Sequence, residues 1–162
     1  MGFMESIIEI NDSECITNIL NRSFMTVAAQ YGLTKENAPR HPAFIGHYVI
    51  EKQLSKGLQM YGYIVTNQIV GCIGYWIDNN EIYHIERLAT LPEYRHLRIG
   101  KNLMWFVENK IARKGGKITE IHVMDKNIAL IEWYKKLEYA VIRIDEIQHL
   151  PFNSCVMNKA LR

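Results

Sequence analysis

One segment of the chain, residues 87–104, constrains the fold more than any other. Its first residues are typical of a β-strand, a short basic loop follows, and its end has the apolar spacing of a helix. A helix start exposes unpaired backbone N–H groups and the positive end of the helix dipole, and both favour a phosphate group. Arg95, Arg98 and Lys101 add positive charge around the same turn. The segment therefore predicts a strand–loop–helix unit that binds an anion.

The length and composition of the chain predict a single domain over residues 1–162. The sequence is 48% hydrophobic and 22% charged, as expected for a soluble domain with one core. A formal net charge of +2 is too small to predict a nucleic-acid-binding surface. No apolar run approaches the roughly 20 residues that span a bilayer, and the N-terminus lacks the features of a signal peptide. We therefore expect a cytoplasmic protein without a nucleic-acid or membrane partner.

The positions of cysteine and histidine give no sign of a metal centre. The 3 cysteines lie far apart and are odd in number, which predicts reduced thiols. The 6 histidines lack the short spacing that metal ligands usually have. The glycine-rich signature of a P-loop is absent from the sequence as well. The sequence thus predicts neither a metal site nor a nucleotide-hydrolysing P-loop.

Hydrophobic periodicity and turn residues predict the remaining elements. The predicted strands lie at 6–10, 58–65, 68–77, 81–89, 117–124, 139–147 and 152–159. The predicted helices run from 12 or 13 to 30, from 42 or 43 to 56, from 99 to 114, and from 125 or 127 through 137. This order predicts an α+β or mixed α/β domain around one sheet.

The basic loop resembles the acetyl-CoA loop of the GNAT-type N-acetyltransferases, whose signature is Gln/Arg-x-x-Gly-x-Gly/Ala between a strand and a helix. Residues 95–100 occupy its six positions, and Arg95 and Gly100 match the first and the last. Arg98 stands at the fourth position, where the family usually has glycine. Glycine permits a close backbone approach and a positive φ, so this position departs from the family pattern.

A second motif extends the resemblance towards the C-terminus. Asn127 and Tyr134 have the offset of the family pattern Asn-x-x-Ala/Leu-x-x-x-Tyr-x-x-x-Gly-Phe, with Glu138 and Tyr139 in place of Gly-Phe. Two further segments, 37–42 and 149–152, are similar to parts of one bacterial GNAT subfamily. The resemblance covers nearly the whole chain. It implies the GNAT fold, a central mixed and mostly antiparallel sheet flanked by about four helices.

The resemblance also implies that acetyl-CoA is the cofactor. In the family, the strand before the loop pairs with the pantetheine arm through its backbone, and the loop binds the pyrophosphate. The cofactor-binding residues implied here are Leu88, Ala89, Thr90, Arg95, His96, Leu97, Arg98, Ile99, Gly100, Lys101, Asn127 and Tyr134. A backbone N–H near Leu88 would face the thioester oxygen. The Arg98 side chain either contacts a phosphate or is a solvated charge on the first helical turn.

Three side chains are candidates for acid–base catalysis. Tyr134 matches the general acid of the family, although the apolar stripe of residues 130–137 also fits a core position. Its ordinary pKa of about 10 would keep the phenol protonated near neutral pH. Glu86 and His84 share one face of the strand before the loop, because side chains alternate along a strand. Either side chain could accept the amine proton, Glu86 through a water. The third alternative is that the protein has no dedicated base.

The acceptor site is expected where the first two helices, their loop and the C-terminal turn meet. The candidate residues are Tyr31, Thr34, Asn37, Arg40, His41, His149 and Phe152. Polar residues in such a loop also commonly set turn geometry.

The resemblance implies an enzyme that transfers acetyl directly from acetyl-CoA to a primary amine of a small molecule or a peptide. A non-catalytic acyl-CoA-binding sensor or scaffold is the alternative, because Arg98 and Glu138 depart from glycine. The C-terminal strands are suited to edge pairing in a homodimer.

Overall fold

A seven-stranded sheet and four α-helices form the protein in a computed structural model, which describes residues 5–162. The strands are β1 (Glu5–Glu9), β2 (Gln59–Val65), β3 (Gln68–Ile77), β4 (Tyr83–Thr90), β5 (Ile118–Met124), β6 (Ala140–Asp145) and β7 (Ser154–Ala160). The helices are α1 (Ser13–Tyr31), α2 (His47–Ser55), α3 (Ile99–Arg113) and α4 (Ile128–Lys136). The predicted mixed α/β class is confirmed. No helix in residues 5–162 is long and apolar enough to cross a membrane.

The sheet is mixed and mostly antiparallel. Its strand order is β1-β2-β3-β4-β5-β7-β6, and β4 with β5 is the parallel pair. These two strands pair only through Tyr83 with Thr119 and His84 with Glu120. Beyond this point β4 and β5 diverge, so the sheet has a gap in its middle. The gap brings together residues that are far apart in the sequence.

A bulge interrupts β4 as the strand enters the gap. Arg87 and Leu88 together lie opposite the single residue Ile73 of β3. Arg87 adopts a φ of 60°, in the left-handed region that a residue other than glycine uncommonly occupies. A bulge leaves an extra residue outside the hydrogen-bond ladder and changes the direction of the strand. The second half of β4 therefore lies beside the gap with part of its backbone unpaired.

Local sequence signals account for most element boundaries. The hairpin between β2 and β3 turns at Thr66 and Asn67, whose positive φ angles match a type I′ turn. The predicted apolar stripe of α3 is buried at Ile99, Leu103, Val107 and Ile111.

Helix α2 is an exception, because it begins at His47 and the predicted start at 42 or 43 is wrong. The amide of Asn21 on α1 donates to the carbonyls of Pro42 and Ile45, at 2.7 and 3.2 Å. These bonds hold the preceding segment as a turn against α1.

Candidate functional site

A cleft of about 760 Å³ opens at the N-terminus of α3, and we call it the first cleft. Its walls come from the end of β4, the loop before α3, the starts of α3 and α4, and one face of α1. The lining residues are Ser23, Phe24, Val27, Gln30, Leu88, Ala89, Thr90, Tyr94, Arg95, His96, Arg98, Ile99, Gly100, Lys101, Asn127, Ala129, Leu130, Trp133 and Tyr134.

The N-terminus of α3 is positively charged and has no side-chain cap from residues 5–162. Arg98 is its N-cap residue and adopts the left-handed conformation, with φ 64° and ψ 15°. Lys101 lies in the first turn, which contains no acidic residue. Both positive side chains are exposed, and the positive end of the helix dipole repels both charges. The arrangement is unfavourable for the helix alone and favourable when an anion binds there.

Arg95 joins α1 to the end of β4 along the wall of the first cleft. Its guanidinium donates to the carbonyl of Ser23 at 2.6 Å, the hydroxyl of Thr26 at 2.9 Å and the carbonyl of Thr90 at 3.3 Å. Burial lowers the pKa of this guanidinium from its ordinary value. The side chain therefore stabilises the shape of the cleft through bonds within the protein.

A second cleft of about 720 Å³ adjoins the first where β4 and β5 diverge. Side chains of both strands line it, together with the loop before α2 and the C-terminal turn. The lining residues used below are Arg40, His41, His84, Glu86, Arg87, Leu88, Glu120, His122, Tyr134, Arg143 and Phe152. The two clefts meet at six residues that line both, namely Phe24, Val27, Leu88, Asn127, Leu130 and Tyr134.

Tyr134 lies at the junction of the two clefts. The residue is 7% exposed, and its ring contacts Trp133 and Tyr139 edge to face. Its hydroxyl makes no hydrogen bond within residues 5–162, whereas the Tyr139 hydroxyl contacts both Thr119 and Glu108. Burial raises the pKa of Tyr134 well above its ordinary value. The ring is thus a core side chain, and its protonated hydroxyl is available to a molecule in the clefts.

Glu86 lies in the second cleft beside a half-buried cation, Arg87. Its carboxylate accepts from the Gln53 amide at 3.5 Å, and the Gln53 carbonyl accepts from Arg87 Nε at 3.1 Å. Burial lowers the pKa of the Arg87 guanidinium, and the nearby Glu86 carboxylate partly offsets this effect. Gln53 on α2 therefore fixes the relative positions of the two charged groups.

His84 shares the second cleft with Glu86, as the strand alternation predicts. Its Nε2 lies 2.8 Å from the Asp78 carboxylate, and its ring stacks on Trp76 with centroids 4.3 Å apart. Because the carboxylate accepts, Nε2 carries the proton. Nδ1 faces Glu120, whose Oε1 lies 3.9 Å away.

Comparison with known proteins identifies the family to which this geometry belongs. Residues 16–139 match the model of the family described as "Acetyltransferase (GNAT) family". The chain belongs to the GNAT acetyltransferase family. Enzymes of this family transfer acyl groups from acetyl-CoA, and their acceptors include amines of proteins and of small molecules.

Several solved structures resemble this GNAT domain along its whole length. The ribosomal-protein-S18-alanine N-acetyltransferase from Escherichia coli has a TM-score of 0.78 at 12% identity, covering 98% of this chain and 94% of that one. A GNAT acetyltransferase from Staphylococcus aureus has a TM-score of 0.74 at 20% identity, with 98% and 100% covered. The PaiA N-acetyltransferase from Thermoplasma acidophilum, in complex with coenzyme A, has a TM-score of 0.73 at 20% identity, with 97% and 99% covered. The predicted GNAT fold is confirmed.

The GNAT domain brings nearly all the predicted cofactor residues into the first cleft. Leu97 is the exception, because it is 61% exposed and does not line the cleft. Asn127 also has a structural role, since its side chain accepts from the Leu130 N–H at 3.2 Å and caps α4. This cap fixes the start of the helix that carries Tyr134.

The predicted acceptor residues separate into two groups. Arg40, His41 and Phe152 line the second cleft. The remaining four, Tyr31, Thr34, Asn37 and His149, do not line it. Thr34 and Asn37 instead bond to each other's backbone N–H, at 2.8 and 3.1 Å, so their side chains set the turn after α1.

Part of the site is not evident from the sequence. Ser23, Phe24 and Val27 of α1 line the first cleft, but nothing in that amphipathic helix distinguishes a ligand-facing residue from a core residue. Glu120 and His122 also lie in the second cleft. The alternation along β5 predicts that they share a face, but it does not predict which strand they meet.

Replacing Arg95 by Ala should lower the free energy of unfolding by about 2–4 kcal/mol, because three hydrogen bonds from a charged group are lost. Urea unfolding of the purified variant measures the change. Arg22→Ala is the matched control, since within residues 5–162 the Arg22 side chain makes an exposed ion pair with Glu93, at 3.0 Å, and no other hydrogen bond or ion pair. We expect the control to change stability by less than about 1 kcal/mol. Equal effects of the two substitutions would contradict the bridging role of Arg95.

Proposed function

We propose that the protein transfers the acetyl group of acetyl-CoA directly to a primary amine while both substrates are bound. The proposal rests chiefly on Tyr134, which lines both clefts and whose hydroxyl has no hydrogen-bond partner within residues 5–162. One cleft begins at a positively charged helix N-terminus, and the other contains a carboxylate and several histidines. A thioester in the first cleft and an amine in the second would therefore meet beside a proton donor.

The first cleft fits the parts of acetyl-CoA in order. The pyrophosphate binds the free N–H groups at the start of α3, with Arg98 and Lys101 beside it. The pantetheine arm runs along the unpaired edge of β4 from Thr90 to Leu88. This path leads the thioester to the bulge and to the Tyr134 hydroxyl.

The reaction proceeds by attack of the amine nitrogen on the thioester carbon. Glu86 accepts the amine proton through a water, and a backbone N–H at the bulge near Leu88 stabilises the oxyanion. The new C–N bond forms, the C–S bond breaks, and the electron pair leaves with the sulfur. Tyr134 donates its proton to the departing thiolate and regains one from solvent after product release. His84 is the alternative acceptor of the amine proton.

The departures from the family pattern are compatible with an enzyme. Arg98 and Glu138 replace glycines, yet both adopt positive φ angles, 64° and 73°, as glycine would. A left-handed conformation costs a residue with a side chain about 1–2 kcal/mol, so the loop keeps its shape at a cost in stability. The retained loop shape is compatible with an enzyme and with an acyl-CoA-binding sensor or scaffold, and the presence of Tyr134 and Glu86 favours the enzyme.

Turnover of acetyl-CoA with a panel of amines separates an enzyme from a binding module. The panel should contain amino acids, polyamines, aminoglycosides and short peptides, with free thiol and acetylated product measured together. We expect at least one amine to accelerate thiol release, and we expect its N-acetyl derivative to form at the same time. Thiol release that no amine accelerates, in a protein that binds acetyl-CoA, would support the sensor instead.

A further inference from the structure

Three side chains that commonly ligate metals meet on one face of the sheet in the second cleft. The parallel pairing of β4 with β5 puts His84 directly opposite Glu120. His122 follows two residues later on the same face of β5. Nε2 of His122 lies 3.1 Å from Oε1 of Glu120, and Nδ1 of His84 lies 3.9 Å from the same oxygen. The three donor atoms all lie within 4.8 Å of one another.

Both histidines are oriented by partners on their other ring nitrogens. Nε2 of His84 donates to Asp78 at 2.8 Å, and Nδ1 of His122 lies 3.2 Å from the Ser154 hydroxyl. Such partners fix the orientation of the ring, and they are typical of histidines that bind metals. The nitrogens that remain, Nδ1 of His84 and Nε2 of His122, both point to the Glu120 carboxylate. This carboxylate is 6% exposed and belongs to a central strand.

We propose that His84, Glu120 and His122 bind a divalent transition-metal ion of the Zn²⁺ class. Two imidazoles and one carboxylate are a known zinc donor set, in which a fourth position stays open. Here the open position faces the second cleft. A zinc ion lies about 2.0–2.2 Å from such ligands, so its ligands are about 3.3 Å from each other. The His122 and Glu120 donor atoms, 3.1 Å apart, already have nearly this separation, and those of His84 and Glu120, 3.9 Å apart, must approach by about half an ångström.

The charges around the three ligands favour a cation. Asp78 and Glu86 add negative charge on the β4 side. Arg40, Arg87 and Arg143 are the opposing groups that line the same cleft. Of these, Arg143 has Nη2 3.9 Å from Glu120 Oε1, beyond hydrogen-bond distance. Its Nε donates to Asp145 at 2.9 Å, and its side chain is half exposed, so it can turn into solvent. Arg143 therefore competes with the ion without occupying its position.

Metal binding at these residues does not require the proposed acetyl transfer, although it would exclude His84 as the alternative acceptor of the amine proton. An ion here uses the lone pair of His84, which leaves Glu86 as the group that accepts the amine proton. Binding can be measured without any acceptor, cofactor or turnover.

Calorimetric titration of the chelator-treated, tag-free protein with ZnCl₂ and with CoCl₂ tests the proposal. We expect one ion per chain with a dissociation constant in the micromolar range or below. His122→Ala and Glu120→Gln should each weaken binding about tenfold or more. His47→Ala, which removes an exposed histidine of α2, should leave binding unchanged. Arg143→Ala should tighten binding, because it removes the competing charge.

The absence of binding by the wild-type protein would overturn the proposal. So would binding that His122→Ala and Glu120→Gln leave unchanged, since the ion would then lie elsewhere. Glu120 is buried, so its variant needs a circular dichroism spectrum to show that it folds. His122 is half exposed, and its substitution tests the site even if the Glu120 variant unfolds.

Discussion

Replacing Tyr134 by Phe should lower kcat for acetyl transfer by about 10²–10⁴-fold and leave the affinity for acetyl-CoA nearly unchanged. The substitution removes only the hydroxyl, and that hydroxyl has no partner in residues 5–162, so no internal hydrogen bond is lost. The ring remains packed on Trp133 and Tyr139. Stopped-flow or steady-state measurement of thiol release gives kcat, and calorimetry gives the affinity.

The raised pKa of Tyr134 is consistent with this role. Burial disfavours the phenolate, so the phenol stays protonated at neutral pH and can donate. The same surroundings disfavour a thiolate, which raises its proton affinity as the C–S bond breaks. Both anions are destabilised together, and the proton can pass between them in the transition state.

Tyr139→Phe is the matched control for Tyr134→Phe. Its hydroxyl contacts Thr119 at 3.0 Å and Glu108 at 3.2 Å, outside both clefts. We expect this variant to lose stability, because the buried Thr119 and the half-buried Glu108 each lose a hydrogen bond, and to keep its kcat. Unchanged kcat in Tyr134→Phe would remove that hydroxyl from the mechanism.

Replacing Glu86 by Gln should lower kcat/KM for the amine by about 10²–10⁴-fold. The two side chains have the same shape, and the new amide can still accept from Gln53 at the position of the carboxylate oxygen. The change therefore removes the proton acceptor while keeping the wall of the second cleft. The measurement is the initial rate of amine acetylation as a function of amine concentration.

Two further variants serve as a control for Glu86→Gln and as a test of the alternative base. Glu93→Gln makes the same chemical change at an exposed ion pair with Arg22, and should leave the rate unaltered. His84→Ala tests the alternative base on the same face of β4. A full rate in Glu86→Gln with a reduced rate in His84→Ala would assign the proton to His84. Full rates in both would mean that solvent takes the proton.

The parts of the fold that could be predicted are those with local causes. Thr66 and Asn67 mark a hairpin because the turn requires left-handed residues. The apolar spacing of residues 99–111 gives α3 its buried face. The loop of residues 95–100 carries charge and a helix start within a few positions of one another. In each case the cause of the structure lies within about ten residues.

The parts that could not be predicted depend on contacts between distant segments. The start of α2 is delayed by bonds from Asn21, which lies more than twenty residues earlier. His84 and Glu120 meet because two parallel strands pair, and the spacing of the histidines along the chain does not predict this contact. Arg98 adopts a glycine-like conformation that its residue type disfavours. Tertiary structure decides all three.

Calorimetric titration with acetyl-CoA of the wild type, Lys101→Glu and Lys117→Glu tests the central claim most directly. An acid in the first turn of α3 should stabilise the helix by about 0.3–1 kcal/mol, yet repel a bound pyrophosphate. We predict micromolar affinity for the wild type and for Lys117→Glu, whose exposed side chain is outside both clefts. Lys101→Glu should bind about tenfold more weakly or worse, which corresponds to about 1.4 kcal/mol. No binding by the wild type at millimolar acetyl-CoA, or equal affinity in all three proteins, would contradict a cofactor anchored at this helix.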